Sequence, residues 1–163
     1  MFSKRVSELM NKQIKYELDS AYMYLSMAAY FEGENLNGLA HWMRTQAKEE
    51  QAHAMKFYNF IFERGGSVTL LGIEQPTAKY DSVRAVFMQT LEHEKKVTGL
   101  IEAIYAAAVE DKDYASQTFL NWFIDEQVEE EKNATDILET IRIGGDSGAA
   151  LLMLDHHLGE RGG

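Results

Sequence analysis

Four long segments with helical apolar periodicity constrain the fold of this chain more than any other feature. Within each segment, apolar residues recur at steps of three and four, which places them along one face of an α-helix. The single proline, Pro76, lies between the second and third segments. Because proline is the residue that most strongly interrupts a helix, each segment can form one long helix. The pattern predicts an all-α four-helix bundle.

The connections between these segments predict how the helices follow one another. Glycines and short polar runs mark the connections at 33–38, 65–76, 111–113 and 144–145. Three of them are short, so the helices they join should be antiparallel neighbours. The second connection is longer and continues to residue 81. About 15 extended residues can span ~50 Å. A helix of roughly 28 residues is ~42 Å long, so the connection is long enough to run its whole length. It can therefore cross the bundle and leave the second and third helices parallel. A leucine-rich segment at 147–157 predicts a short fifth helix near the C-terminus.

Length and composition limit the classes of function that the chain can serve. Its 163 residues suit one domain, spanning residues 1–163. Cysteine is absent, which excludes disulfides, thiolate metal sites and cysteine nucleophiles and favours the cytoplasm. We find neither a signal-peptide pattern nor an apolar run long enough for a membrane span, so no membrane partner is expected. A formal net charge of −10 disfavours nucleic acid as a partner and attracts cations.

Polar side chains interrupt each apolar stripe near its middle. They are Glu17, Glu50, His53, Glu94, Gln127 and Glu130. Glu17 precedes Glu50 by 33 residues and His53 by 36, and the same two intervals separate Glu94 from Gln127 and from Glu130. The two halves of the bundle are therefore related by an approximate two-fold repeat, and their polar groups should converge at its centre.

The charge of this cluster calls for a cation. Burying an ionised carboxylate without a partner costs several kcal/mol, and no lysine or arginine falls on the inward stripes near these positions. Four glutamates carry a charge that two divalent ions would balance, and carboxylates mixed with imidazole suit iron, manganese or zinc. Without metal, some of these carboxylate pKa values should be raised, so that metal binding releases protons. Taken singly, each glutamate or glutamine could equally lie at the flank of its helix, and His53 could be a hydrogen-bonded core histidine. The repeated spacing of the whole set argues against this alternative to metal binding.

At this point the sequence resembles the non-haem bacterial and archaeal ferritins. The runs Glu-Glu-Gln-Ala-His at 49–53 and Asp-Glu-Gln-Val-Glu-Glu-Glu at 125–131 look like the motifs of the second and fourth helices of that family, and the resemblance covers essentially the whole chain. Gln127 and Glu130 stand where the symmetric version of the motif has glutamate and histidine. Ala52 occupies the position where bacterioferritins place a haem-ligating methionine, so we expect no haem.

The resemblance implies a di-iron centre that oxidises Fe(II) with O2 or H2O2. Glu17, Glu50 and His53 would hold one iron; the second would lie between Glu50, Glu94 and Glu130, with Glu50 as the bridge. Gln127 would orient bound oxygen species or water. Tyr24 would act beside the irons as a hydrogen-bond or electron donor, although a purely structural aromatic residue is the alternative. Trp122 is close enough in sequence to Gln127 to supply an electron, but it is expected to pack in the core.

The resemblance also implies a third iron site and a large assembly. Glu49, Glu126 and Glu129 would form that site with Glu130; a solvated acidic face is the alternative reading of these residues. The short fifth helix would meet its copies around the four-fold axes of a hollow 24-subunit shell that stores ferric mineral. One alternative is a di-iron redox enzyme that acts on peroxide or an organic substrate without storage. A catalytically silent shell subunit is another, although the intact ligand set argues against it.

Overall fold

The computed structural model describes residues 1–162 and contains five α-helices and no strand in that range. The helices are α1 (Lys4–Gly33), α2 (Asn37–Glu63), α3 (Val83–Glu110), α4 (Tyr114–Gly144) and α5 (Gly148–Gly159). The first four form the bundle and α5 packs mainly against α2. The predicted fold class is confirmed, including the short fifth helix. Within residues 1–162, none of the helices has a stretch apolar enough to cross a membrane.

Ion pairs at one end of the bundle define the directions of the helices. Arg64, which follows α2, contacts Asp113, which precedes α4, with 2.9 Å between Nη1 and Oδ1. Arg5, in the first turn of α1, contacts Glu110 at the end of α3, also at 2.9 Å. The ends of α2 and α3 therefore lie together with the starts of α1 and α4. Helices α2 and α3 run parallel, as the length of their connection predicts.

The long connection between α2 and α3 is held along the side of α1. Asn11, Asp19 and Ser26 lie seven or eight residues apart, about two helical turns, and so face the same side of α1. Their side chains bond the backbone of Thr69, Glu74 and Thr77 at 2.8, 2.7 and 2.6 Å, respectively. The connection therefore crosses the bundle as an ordered strap on its surface.

Two clusters of buried apolar side chains fill the bundle on either side of its middle. One cluster includes Phe31, Trp42 and Phe87, together with Leu154 from α5. The other includes Val6, Phe57 and Phe123. Each large apolar side chain that is fully buried contributes roughly 1.5–3 kcal/mol. These clusters supply the stability that allows a polar layer to be buried between them.

The start of α2 depends on α5. Ser or Asp side chains cap the other four helices, namely Ser3, Ser82, Asp113 and Ser147. The residue before α2 is Leu36, whose side chain cannot accept a hydrogen bond. Instead, the Leu39 N–H donates to Asp155 Oδ1 of α5 at 2.9 Å. The short fifth helix thus provides a cap that the local sequence of α2 lacks.

Candidate metal centre

The middle layer of the bundle contains the polar side chains that interrupt the apolar stripes. Glu17 and Glu94 are each 1% exposed, Glu50 is 3% exposed and Glu130 is 4% exposed. Each comes from a different helix, because the interruption falls near the centre of every helix in the bundle. Within residues 1–162, none of these four carboxylates pairs with a lysine or arginine.

Two groups of possible ligand atoms lie side by side in this layer. Glu17, Glu50 and His53 form one group, in which one ligand-type atom from each residue lies within 4.8 Å of the others. Glu50, Glu94 and Glu130 form the second group by the same measure. Glu50 belongs to both and lies at their junction. The arrangement can hold two cations that share one carboxylate.

Hydrogen bonds from neutral side chains orient the carboxylates of both groups. Gln13 donates to Glu17 at 3.1 Å, and the Tyr24 hydroxyl donates to Glu94. Gln127 Nε2 also donates to Glu94, at 3.1 Å, and stands 3.3 Å from the Thr98 hydroxyl. All of these donors are uncharged, so they fix the geometry of the carboxylates without balancing their charge. Partners of this kind orient metal ligands and tune their affinity.

Burial shifts the proton affinity of the whole cluster. Desolvation is the largest cause that raises the pKa of Glu17, Glu50 and Glu94 above the ordinary glutamate value. Desolvation, followed by the charge of Glu94, raises the pKa of Glu130 to about 8. Burial raises the pKa of the Tyr24 hydroxyl as well, and the charge of the Glu94 carboxylate adds to the shift. The carboxylates therefore repel further negative charge and attract either protons or cations.

One buried oxygen has no hydrogen-bond partner among the described residues. Glu17 Oε2 is inaccessible to solvent and makes no hydrogen bond. A buried acceptor without a partner costs about 1–3 kcal/mol, more when it is charged. A cation bound between Glu17, Glu50 and His53 would supply the missing partner. The donor set therefore fits a divalent metal ion that accepts oxygen and nitrogen ligands.

A third group of carboxylates adjoins the second. Glu49, Glu126 and Glu130 each offer an oxygen within 4.8 Å of the others, so Glu130 is shared just as Glu50 is. Glu49 and Glu126 are partly exposed, which opens this group toward solvent. Glu129 is exposed and is not brought into the group. The geometry thus gathers three of the four residues expected for a third site.

The surroundings of His53 differ from what the sequence predicts. The His53 ring packs edge-on against Trp122, with 5.3 Å between ring centroids. Trp122 is 40% exposed, so the prediction that it packs in the core is wrong. Its outer face carries the Lys56 ammonium, 3.0 Å from the ring centroid. Trp122 therefore forms part of the wall that shields His53 from solvent.

Several residues of the site were missed by sequence reasoning. Gln13 and Gln46 are buried amides that bond Glu17 and Glu130, and Arg161 pairs with Glu49 at 2.9 Å. The two glutamines could have been found, because each is a polar residue placed one helical turn before a ligand-type glutamate on the same face. No sequence pattern indicates Arg161, because its contact with Glu49 depends on how the segment after α5 folds back on α2.

The matches to known proteins extend over nearly the whole chain. Residues 7–143 match the ferritin-like domain family. A bacterial non-heme ferritin of Bacteroides fragilis is 38% identical over 161 residues, which cover 99% of this chain and all of that protein. A bacterial non-heme ferritin of Staphylococcus aureus is 40% identical over 162 residues, covering 99% and 97% of the two chains. The crystal structure of an open pore ferritin from Archaeoglobus fulgidus superposes with a TM-score of 0.98 at 45% identity, covering 99% of this chain and all of that one. The domain match, the full-length relatives and the superposed fold agree. This chain therefore belongs to the ferritin family, among the non-haem ferritins of bacteria and archaea.

Proposed function

We propose that the protein is an iron-storage ferroxidase. The observation that carries this proposal is the pair of buried ligand groups that share Glu50. Fe(II) is the substrate: one ion would bind between Glu17, Glu50 and His53, and the other between Glu50, Glu94 and Glu130. Oxygen and nitrogen ligands of this kind suit iron, and the bundle holds them without a neutralising lysine or arginine.

The proposed reaction removes one electron from each of two Fe(II) ions. O2 accepts the two electrons together with two protons and becomes H2O2; alternatively, H2O2 accepts two electrons and two protons and becomes water. Because the carboxylates hold the two ions side by side, a two-electron acceptor can react with both at once. Gln127 and Tyr24 donate hydrogen bonds to Glu94, so they hold that carboxylate in place during the reaction.

Storage requires that the oxidised iron leaves the site and enters a closed space. The third group, Glu49–Glu126–Glu130, adjoins the pair through Glu130 and lies nearer the solvent, which suits a path away from the buried positions. Exposed apolar side chains on α5, Leu152 and Met153, favour self-association of the chain. We propose that the copies form a hollow shell of 24 subunits, as the family resemblance implies, and that hydrolysed Fe(III) collects inside as oxyhydroxide.

Aerobic loading followed by sizing tests the proposal. Fe(II) is added in steps to metal-free protein, oxidation is followed by absorbance, and the product is separated by size before its iron is counted. We expect fast oxidation and large particles that retain far more than two iron ions per chain. Fast oxidation with only two ions per chain retained would instead identify a peroxide-detoxifying di-iron enzyme without storage. No fast oxidation would identify a catalytically silent subunit.

A further inference from the structure

Arg161, which follows α5, reaches into the third carboxylate group. Its Nη2 lies 2.9 Å from Glu49 Oε2 and 2.6 Å from Gln46 Oε1. Gln46 in turn donates from Nε2 to Glu130 Oε2 at 2.9 Å. Within residues 1–162, Arg161 is the one arginine or lysine that pairs with a carboxylate of this group. A charged side chain thus contacts one carboxylate directly and a second one through a single amide.

The position of this guanidinium is built into the fold. The Arg161 guanidinium lies over the Trp42 ring, with 4.7 Å between Cζ and the ring centroid. The Arg161 carbonyl oxygen lies 2.6 Å from His41 Nε2, within hydrogen-bond distance, and the side chain is only 20% exposed. Stacking on an aromatic ring and hydrogen bonding in a fixed plane are the properties that distinguish arginine from lysine. Arg161 is therefore held in place and is not a loose surface charge.

The contact also sets the orientation of the Gln46 amide. An amide has one accepting and one donating end, and the guanidinium can only donate. When Arg161 bonds Gln46 Oε1, the Gln46 NH2 group must point toward Glu130, as it does. Arg161 therefore positions a donor on Glu130, the carboxylate shared by the second and third groups.

We propose that Arg161 is the built-in counter-ion of the third carboxylate group, and that a divalent cation enters this group by displacing the guanidinium from Glu49. This inference rests on the proposed function, since it assigns a regulator to a site on the path of iron. Because Arg161 and the cation compete for the Glu49 carboxylate, the guanidinium weakens the third site more than the two buried groups. The two buried groups contain no residue that Arg161 contacts directly. The C-terminal segment would then be released from α2 whenever the third site is filled.

Zinc titration of the metal-free shell measures this competition without iron oxidation. In the wild type we expect Zn(II) to bind in two tighter steps and one weaker step per chain, measured by calorimetry. Arg161→Gln keeps a hydrogen-bonding side chain without the charge and should tighten the weakest step about fivefold or more. The tighter steps should change less, because Arg161 reaches Glu130 of the second group only through Gln46. Arg161→Lys keeps the charge but loses the stacked, forked guanidinium, so its weakest step should lie between those of the wild type and of Arg161→Gln. Arg142→Gln removes an exposed arginine that pairs with Glu139, away from the site, and serves as the control. A weakest step that is unchanged or weaker in Arg161→Gln would overturn the proposal.

A reciprocal measurement uses the wild-type protein and so does not depend on the folding of a variant. Coupling between two sites must act in both directions. Filling the third site with Zn(II) should therefore speed hydrogen exchange of the backbone at residues 155–162, followed by mass spectrometry. Exchange that is slowed or unchanged at saturating Zn(II) would show that Arg161 stays in place. Both measurements are independent of ferroxidation, so a failure of the storage proposal and a failure of this one are distinguishable.

Discussion

At the scale of single residues, the site is organised by carboxylates that belong to two groups at once. Glu50 links the first and second groups, and Glu130 links the second and third. A residue that contributes to two cation positions affects both when it is removed. Residues that contribute to one cation position, or to none, provide controls for substitutions of the shared residues. Substitutions of glutamates that are close in sequence should therefore have very different effects on Fe(II) oxidation.

Replacing Glu50 with alanine should abolish the fast phase of Fe(II) oxidation. The substitution removes one ligand from each of the two buried groups, so we expect the initial rate to fall at least about 100-fold. Stopped-flow absorbance after mixing Fe(II) with aerated protein measures it. Glu129→Ala changes an exposed glutamate of the neighbouring helix that lies outside the three groups, and its rate should match the wild type. Equal rates in the two variants would show that the ligands have been misassigned.

Metal binding should release protons near neutral pH. In the metal-free protein, burial and the charge of Glu94 raise the pKa of Glu130 to about 8, so at about pH 6.5 this carboxyl still holds a proton that an ordinary glutamate has lost. A divalent cation requires the carboxylate and must expel that proton. Zn(II) binding should therefore release more protons at about pH 6.5 than at about pH 9, where Glu130 is already ionised. Calorimetry in two buffers of different ionisation enthalpy counts the protons; a release that does not decrease with pH would contradict the shift.

The same pKa shift predicts how the metal-free protein responds to alkali. A carboxyl whose pKa is higher in the folded state stabilises the fold below its unfolded pKa, near 4.5, and that stabilisation is lost as the pH rises through about 8. We expect the midpoint of thermal unfolding to fall between about pH 6 and pH 9 in metal-free protein. The midpoint of Zn(II)-loaded protein should fall less over the same pH range, because the cation takes the place of the proton on the carboxylate. A metal-free midpoint that rises over this range would reverse the sign of the argument.

Part of the site could be predicted from the sequence because helical spacing fixes which residues share a face. Glu17 and Tyr24 are seven residues apart and both are buried, and the Tyr24 hydroxyl bonds Glu94 in the polar layer. Glu126 and Glu129 lie in one helical turn, yet only Glu126 joins the third group, since that depends on the exact rotation of α4. The sequence pattern cannot determine a rotation to that precision. Arg161 was not predictable for a different reason: its partner Glu49 is 112 residues away.

At the scale of helices, the order and directions were predictable while the docking of α5 was not. Apolar spacing predicts the four long helices, and the strap between α2 and α3 is long enough for these two helices to run parallel, as they do. The docking of α5 instead depends on two glycines that meet: a Cβ built on Gly159 would lie 2.9 Å from Gly38 Cα. In the sequence, both glycines are indistinguishable from those that only end a helix. Close approach of the two backbones is what brings Asp155 to the start of α2 and Arg161 to Glu49.

Replacing Gly38 with alanine should undock α5. A Cβ at this position would lie 1.8 Å from the backbone oxygen of Asp155, so the two helices must separate and the cap on α2 is lost. Forced separation of a packed contact costs about 1–3 kcal/mol, which should lower the thermal midpoint. Gly99→Ala is the matched control: it lies in the interior of α3 with nothing within 4 Å of the new Cβ and should stabilise by about 0.5–1 kcal/mol. The reverse order of the two midpoints would contradict the docking argument.

At the scale of the whole molecule, the bundle places an unfavourable polar layer between two favourable apolar clusters. The four buried glutamates repel one another in the metal-free state, and the clusters on either side hold them together. This arrangement keeps the ligands preorganised, so that the cation meets a site that needs little rearrangement. It also makes metal binding a source of stability for the fold, since a ligand that binds only the folded state stabilises it. The site and the scaffold are therefore energetically linked.

The apolar face of α5 links this single-chain architecture to the assembly that the proposed storage function would require. Leu152 is 64% exposed and Met153 is 74% exposed, on a helix whose opposite face is docked through Leu154 and Leu158. Leu152→Glu would place a carboxylate in any interface formed by this face, at a cost of several kcal/mol for each buried copy. We expect smaller assemblies by size-exclusion chromatography with light scattering and an unchanged helical circular dichroism spectrum. Leu152→Met preserves an apolar side chain of similar volume and should keep the wild-type size.

Iron loading of the Leu152→Glu protein separates oxidation from storage. The ligand groups lie within one chain, so the smaller assemblies should still oxidise Fe(II) in a fast phase. Without a closed shell, the Fe(III) product has no enclosed space and should precipitate, leaving about two or three iron ions per chain on the protein after sizing, one for each ligand group. If the smaller assemblies retained as much iron as the wild type, storage would not depend on the α5 interface. If they lost fast oxidation as well, the geometry of the ligand groups would itself depend on assembly, because the segment that follows α5 contacts Gln46 of α2 through Arg161, and Gln46 bonds Glu130.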